Sequence, residues 1–155
     1  MNMNRYPGRI LIFMLMIPGL SIFNRCVEDT GEPIKMKELT LYPIGEVVRE
    51  NDRTYILIKP EYRDGLLKLE DYDEIMVLYW FDRNDDPEKR SILQVHPKGD
   101  PENPIRGVFA THAPVRPNLI GVSRCRLLSV QGNRLEIGEI DAMDQSPILD
   151  IKSMR

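Results

Sequence analysis

The apolar residues of this chain fall in short runs separated by charged or proline-containing turns, a pattern typical of β proteins. Residues 39–48 alternate loosely and end at a charged turn, which predicts a first strand. Residues 54–59 are β-branched and aromatic and are followed by Pro60, which predicts a second strand. The continuous apolar run at 74–81 has strand length and predicts a central strand buried on both faces.

The same pattern continues to the C-terminus with one helical interruption. Leucines between polar residues at 61–69 predict one short helix. Residues 85–100 are charged and contain two prolines, so they predict mostly loop around a short strand. Gln131-Gly132-Asn133 is typical of a hairpin turn. In chain order, the strands predicted in this half lie at 92–95, 107–110, 120–130, 134–140 and 147–151.

Many short strands with one helix predict a mainly β fold, either a small single-domain barrel or a strongly curled sheet. The chain has neither the alternating strands and helices of a Rossmann fold nor its glycine-rich fingerprint. We therefore predict a non-Rossmann fold, in which loops on a β scaffold would have to hold any nucleotide cofactor.

A length of 155 residues fits one domain, but the first 35 residues differ from the rest. Arg5 and Arg9 precede an apolar run at 10–23, which is shorter than the roughly 20 residues that a membrane-spanning helix needs. Three interpretations of this leader, 1–35, stay open: an over-extended start, a secretory signal or anchor, and an accessory helix. The domain itself is predicted at 36–155.

Charge and cysteine content narrow the possible functions. The chain has a formal charge of −3, and residues 36–155 alone carry −4. Because phosphate contacts are made by Lys and Arg, binding to RNA would need a local basic patch. Only Cys125 falls in the domain, which excludes a disulfide or a cysteine metal cluster within it and predicts a reduced, cytoplasmic protein. The candidate patch residues, whose usual role is solubility, are Arg83, Arg106, Arg116, Arg124, Arg126 and Arg134.

The segment 107–121 is the first candidate for ligand binding. It joins two apolar strands through a loop that contains two prolines and carries His112, Arg116 and Asn118. The prolines fix φ and remove backbone donors, so the loop should follow a fixed path. It is either an ordinary proline-rich turn or a rigid support for these three side chains.

Two further groups of polar residues follow predicted strands. Asp82 and Arg83 come directly after the buried strand, where the mouth of a barrel would lie. Asp141 and Asp144 precede the turn 145–147, so carboxylate, amide and hydroxyl groups share one bend. A strand-ending charged turn and an Asx-type turn are the structural alternatives for the two groups.

Three segments resemble the TsaA-like (TrmO) family, which includes tRNA methyltransferases that use S-adenosylmethionine. They are the strand end Trp80-Phe81-Asp82, the loop 107–121 and the acidic block 141–152, and they occur in the order found in that family. The resemblance covers about residues 41–152. The chain departs from the family's pattern at Asp82, His112, Leu119, Gln145 and Ser146, where that pattern has histidine, arginine, proline, glycine and threonine, respectively.

The resemblance implies a cofactor, S-adenosylmethionine, bound near the interface of a homodimer. It also implies methylation of the exocyclic nitrogen of threonylcarbamoyladenosine beside the tRNA anticodon, with no membrane partner for the domain. Asp82 and His112 are candidates to accept the proton of that nitrogen. The alternatives are a diverged, non-catalytic module that binds S-adenosylmethionine or another adenine nucleotide, and a β domain with neither activity.

The predicted cofactor site combines the residues of these three segments. By resemblance, cofactor contacts fall at Asp82, Arg83, His112, Arg124, Asp144, Gln145, Ser146 and Pro147. Asp141 adds a carboxylate that suits ribose hydroxyls or an ammonium group. Arg116 and Asn118 belong to the family's arginine-proline-asparagine signature, and they either bind the cofactor or brace the loop.

Overall fold

The computed structural model describes residues 37–154, so the three interpretations of the leader concern residues outside that range. The strands are β1 (Gly45–Glu50), β2 (Arg53–Ile58), β3 (Glu74–Trp80), β4 (Gln94–Val95), β5 (Arg106–Gly107), β6 (Ile120–Gln131), β7 (Arg134–Ile137) and β8 (Pro147–Ser153). Six of them form a closed antiparallel barrel in the order β1-β2-β7-β6-β3-β8, and β4 and β5 pair separately as a short ribbon. The predicted small barrel is therefore confirmed.

The barrel core consists of alternate residues that point inward. In β3, Ile75, Val77 and Tyr79 are buried, while the residues between them are only half-buried. The prediction that this strand is buried on both faces is therefore wrong, because an antiparallel barrel fills its interior and leaves its outer face partly in contact with solvent. The other strands contribute Val47, Ile56, Ile58, Cys125, Leu135, Ile137 and Ile148 to the same cluster.

Two tight hairpins fix the register of four strands. β1 and β2 are joined through Asn51 and Asp52, both of which have positive φ values. β6 and β7 are joined through Gly132 and Asn133, and Gly132 also has a positive φ. Asn and Gly adopt this conformation more readily than other residues, which is why the second hairpin was predictable from its sequence.

Several predicted elements differ in extent or type. The first strand begins at Gly45 rather than at 39; of residues 37–44, which are mostly exposed, Ile44 donates its N–H to the Ile148 carbonyl of β8 at 2.8 Å. The helix predicted at 61–69 is a 3-10 helix, Pro60–Leu66, followed by a second short one, since only Leu66 of its leucines is buried. Of the strand predicted at 107–110, only Gly107 is in a strand, because β5 ends there. The next three residues, Val108–Ala110, form a 3-10 turn.

The charged segment 85–100 contains an α-helix, α1 (Pro87–Ser91), in addition to the expected strand. The Asp86 side chain caps it by accepting a 2.8 Å hydrogen bond from the backbone N–H of Lys89. An aspartate before a proline is a frequent helix start, so the sequence did contain this signal. Within residues 37–154, no helix has the length and apolar character needed to cross a membrane.

The buried thiol of Cys125 makes the free energy of unfolding depend on pH. Burial, with a smaller effect from the charge of Asp141, raises the pKa of this thiol to about 11. Between pH 9 and 11 the unfolded chain loses this proton and the folded chain keeps it, so stability falls as pH rises. The full two-unit difference corresponds to about 2.7 kcal/mol.

Urea denaturation at pH 8, 9 and 10 measures this loss. Cys125→Ala serves as the control, and we expect its free energy of unfolding to decline less steeply over the same range. The measurements stop at pH 10 because burial also raises the pKa of Tyr79, so ionisation of this tyrosine would add a second loss of stability at higher pH. Equal slopes for the two proteins would contradict the prediction.

Candidate functional site

Two adjoining pockets share His112, Val122 and Asp141 in their walls. The smaller has a volume of about 360 Å³ and the larger about 920 Å³. Binding sites for small molecules and cofactors fall in this size range, so each pocket can hold a ligand. Two predicted site residues, His112 and Asp141, therefore lie where the pockets meet.

The smaller pocket has an aromatic wall. The rings of Tyr79 and Phe81 pack edge to face, with centroids 5.4 Å apart and planes at 79°. Gly121 on the neighbouring strand makes room for them, because a Cβ there would lie 2.5 Å from the Tyr79 ring. Met143 adds a flexible apolar side chain. This wall suits a flat, apolar group of a ligand.

Four polar side chains complete the smaller pocket, one of them that of Asn84 after β3. His112 and Arg116 come from the loop 107–121, and Asp141 comes from the segment after β7. Within residues 37–154, the half-buried guanidinium of Arg116 makes no salt bridge, so it can pair with a ligand anion. The loop 107–121 and the acidic bend, which comprises residues 141–147, therefore face one pocket, although they were predicted separately.

The carboxylate of Asp141 also influences the barrel interior. Burial raises the pKa of Tyr79 most, and the charge of Asp141 raises it further, whereas a hydrogen bond from Ser123 opposes both effects. Burial, and to a smaller extent the charge of Asp141, also raises the pKa of the Cys125 thiol. The charge of Asp141 at the junction of the pockets therefore disfavours the ionised forms of Tyr79 and Cys125.

About half of the residues that line the larger pocket are charged. Arg124 was predicted as a cofactor contact, and its guanidinium forms an ion pair with Glu74 on the adjacent strand. That pair is largely exposed, so it leaves Arg124 accessible to a second anion. The other charged lining residues are Arg49, Asp52, Arg53, Glu136, Glu139 and Asp141.

Arg49 holds the acidic bend in place, and the sequence analysis did not single it out. Its guanidinium donates to the carbonyl oxygens of Ile140 and Ala142, at 3.0 and 2.9 Å. Its backbone N–H donates to a carboxylate oxygen of Asp144 at 2.8 Å. In the sequence Arg49 is one charge in a charged turn, and nothing indicates that its partners lie more than 90 residues away.

Other predicted contacts stabilise the fold around the pockets. A carboxylate oxygen of Asp82 accepts a 3.3 Å hydrogen bond from the buried Ser146 hydroxyl, which joins two predicted groups 64 residues apart. Gln145 has a φ of +67°. Gln145 and Pro147 line a different pocket of about 450 Å³, together with Gly45. The structure thus brings Asp82 to the bend, but Asp141 lines the two adjoining pockets whereas Gln145 and Pro147 line a third one.

Arg83 and Asn118 lie outside the pocket walls, as do Asp82, Asp144 and Ser146. Arg83 is exposed, and its carbonyl accepts a hydrogen bond from the Lys89 side chain at 3.1 Å. Asn118 is also exposed, and its carbonyl accepts from the N–H of Ile120 at 2.7 Å. Within residues 37–154, no three His, Cys, Asp or Glu side chains are grouped so that they could hold a metal ion.

Residues 35–154 match the family model described as the tRNA-methyltransferase O N-terminal domain. The chain belongs to this family. A probable S-adenosyl-L-methionine-binding protein of Methanocaldococcus jannaschii is 46% identical over 112 residues, which are 72% of this chain and 89% of that protein. One of Pyrococcus horikoshii, with the same description, is 43% identical over 119 residues, which are 77% of this chain and 85% of that protein.

A solved structure supports the family's barrel architecture. The crystal structure of TrmO from Pseudomonas aeruginosa is similar with a TM-score of 0.58 and 26% sequence identity. The match covers 77% of this chain and 57% of that chain, so this chain spans little more than half of that TrmO. Family membership thus confirms the resemblance that the three sequence segments suggested.

The pocket wall yields a stability prediction at Gly121. Replacing Gly121 with alanine would place a methyl group against the rings of Tyr79 and Phe81. Because both rings pack in or beside the core, we expect a loss of about 1–3 kcal/mol in the free energy of unfolding. Gly65→Ala is the matched control, since no atom lies within 4 Å of the added methyl group. Urea denaturation compares the two, and equal stabilities would contradict the packing argument.

Proposed function

We propose that this protein is an S-adenosylmethionine-dependent methyltransferase that acts on the exocyclic nitrogen of threonylcarbamoyladenosine beside the tRNA anticodon. Its cofactor is S-adenosylmethionine, and its role is that of a methyltransferase-like protein which binds this cofactor. The substrate, and a cytoplasmic location with it, belong to the proposal. The observation that carries it is the pair of adjoining pockets, because methyl transfer needs a donor and an acceptor held side by side.

The smaller pocket fits the chemistry of the cofactor. The aromatic wall of Tyr79 and Phe81 suits the adenine ring, and the guanidinium of Arg116 suits the carboxylate of the amino-acid tail. Asp141 suits the tail ammonium or the ribose hydroxyls. When bound, the cofactor supplies an electrophilic methyl group. The side chains of this pocket thus suit the adenine ring, the tail carboxylate, and the ammonium or ribose groups of S-adenosylmethionine.

The larger pocket is the proposed acceptor side. Arg124 and Arg53 can pair with phosphate or carboxylate groups of a modified nucleotide. His112 and Asp141 line both pockets, so either can hold or receive the proton that the attacking nitrogen loses. Asp82, the other sequence candidate, binds Ser146 instead and does not line either pocket. We therefore propose His112 and Asp141, and not Asp82, for proton transfer.

The competing proposal is a non-catalytic module that binds the cofactor. Its support is His112, which stands where the family has arginine and faces both pockets. An imidazole has at most two N–H donors, whereas a guanidinium has five in a planar fork, so histidine holds a ligand carboxylate less firmly than arginine does. The two proposals share the cofactor and differ in whether the larger pocket takes part in chemistry.

Methylation of purified tRNA, measured with labelled S-adenosylmethionine and nucleoside analysis, tests the proposed activity. We expect product from the full chain and a fall of about 10²-fold or more in kcat for Asp141→Asn, because removal of a general base costs this much. Asp71→Asn replaces an exposed aspartate outside both pockets and should leave kcat unchanged.

Calorimetric titration with S-adenosylhomocysteine separates the two proposals. Binding without methylation of any tRNA would favour the non-catalytic module. Absence of binding would contradict both. An unaltered kcat in Asp141→Asn, with methylation intact in the parent protein, would remove Asp141 from proton transfer while leaving the enzyme assignment standing.

We also propose that the protein is a homodimer whose interface includes the β4–β5 ribbon. The ribbon ends carry Leu93, Ile105 and Phe109, all of them exposed, and the Phe109 side chain is 80% exposed. The pairing of Gln94 with Gly107, and the hydrogen bond from Val108 N–H to the Leu93 carbonyl, hold these residues on one short ribbon. A cluster of exposed apolar residues of this kind is typical of protein interfaces.

Sedimentation velocity tests this interface. Phe109→Ser should shift the protein from dimer to monomer at micromolar concentration, because aromatic residues in interfaces often account for 2 kcal/mol or more. The matched control is Leu67→Ser, which replaces a side chain of similar exposure, 82%, elsewhere on the domain. A dimer that persists in Phe109→Ser, or a monomeric parent protein, would contradict this proposal.

A further inference from the structure

The loop that carries Arg116 is attached to α1 by one side chain. Nη1 of Arg90 donates a 2.8 Å hydrogen bond to the carbonyl oxygen of Pro117, the residue that follows Arg116. The two partners are 27 residues apart in sequence. Arg90 is half-buried and does not line either pocket, so its role at the site has to be indirect.

Arg90 is itself held in a closed arrangement with two other side chains. Its Nε donates to one carboxylate oxygen of Asp85 at 2.8 Å, and Nε1 of Trp80 donates to the other oxygen at 3.1 Å. The guanidinium also lies over the Trp80 ring, 5.3 Å from its centroid. The hydrogen bonds from Arg90 and Trp80 hold the pKa of Asp85 below its usual range. Two side chains, those of Asp85 and Trp80, thus fix the orientation of the Arg90 guanidinium.

Local structure explains why Arg90 can reach the loop. The cap at Asp86 and the proline at the first helical position fix the start of α1, and the Lys89 side chain bonds back to the carbonyl of Arg83. The backbone N–H of Arg90 also bonds to the Asp86 carbonyl at 3.1 Å. The five-residue helix is therefore secured at its start and along its length, and it presents Arg90 at a fixed position.

The loop is held at a second point two residues further on. Leu119 is fully buried, and its carbonyl accepts a 2.8 Å hydrogen bond from the N–H of Phe81. Carbonyls at 117 and 119 are thus bound by two different elements, and the φ of Pro117 is already fixed by its ring. These constraints leave little freedom to the backbone from which Arg116 extends into the smaller pocket.

We propose that Arg90 is a positioning residue for Arg116, acting through the Pro117 carbonyl, and that Trp80 reports occupancy of the smaller pocket. The inference rests on the proposed cofactor role of that pocket. Replacement of Arg90 by an uncharged side chain removes both its hydrogen bond to the Pro117 carbonyl and its stacking on Trp80. Arg116 then samples more conformations, and ligand affinity falls because ordering has to occur on binding.

The first experiment needs no ligand. Hydrogen exchange is compared between the parent protein, Arg90→Gln and the control Arg63→Gln, which replaces an exposed arginine that forms no salt bridge within residues 37–154. We expect faster exchange of the amides at 115, 116 and 118–120 in Arg90→Gln only. Unchanged exchange there would overturn the proposal, whether or not the protein binds the cofactor.

The second experiment is a double-mutant cycle read by calorimetry with S-adenosylhomocysteine. Arg90→Gln should weaken binding about tenfold in the parent background but have almost no effect in Arg116→Gln, because the residue it positions is already absent. Equal losses in both backgrounds would overturn the positioning role. Undetectable binding in the parent protein would instead overturn the proposed function, while the hydrogen-exchange result would still decide whether Arg90 restrains the loop.

The fluorescence of Trp80, the one tryptophan of the chain, supplies a third measurement. Ligand addition should change its emission in the parent protein and in Arg63→Gln, and this change should be smaller or absent in Arg90→Gln at saturating ligand. Arg90→Lys keeps the charge but lacks the planar fork, so it should restore only part of the response. A full response in Arg90→Gln would contradict the coupling between pocket and tryptophan.

Discussion

The structure depends on closure of the barrel along its shortest seam, between β1 and β8. Only Gly45 with Ile148 and Glu46 with Pro147 pair there, whereas β1 and β2 share six pairs. A barrel without this seam would be an open sheet with two edges, and the inward-facing residues of both edge strands would meet water. Closure is therefore what converts the alternating strands into an enclosed core.

The same seam determines where the acidic bend lies. Immediately beyond the paired residues, the N–H of Val47 donates to the Ser146 carbonyl, and the N–H of Gln145 donates to the Val47 carbonyl. Two residues further along β1, the backbone N–H of Arg49 binds the Asp144 carboxylate. The Arg49 side chain binds the carbonyl oxygens of Ile140 and Ala142. Because the bend is attached to β1 in this way, closure of the barrel also presents Asp141 at the junction of the pockets.

The fold could be predicted more completely than the site, and the missed residues show why. Strands and hairpins follow from local signals, such as the apolar run at 74–81 and the glycine of the turn at Gly132. Arg49 and Arg90 act on carbonyl groups that any residue carries, at distant positions, so no spacing or residue type in the sequence identifies their partners. Long-range contacts of side chains with backbone are set by tertiary structure, and only the folded chain shows them.

The residues that depart from the family's sequence pattern have different roles in the structure. Leu119, which replaces proline, is fully buried, so packing explains its identity. Asp82 and Ser146 both depart from the pattern and form a hydrogen bond with each other, which makes them a matched pair. His112 alone among these four faces both pockets. The departure that bears on the proposed site is therefore this one imidazole, which offers fewer N–H donors than the guanidinium that it replaces.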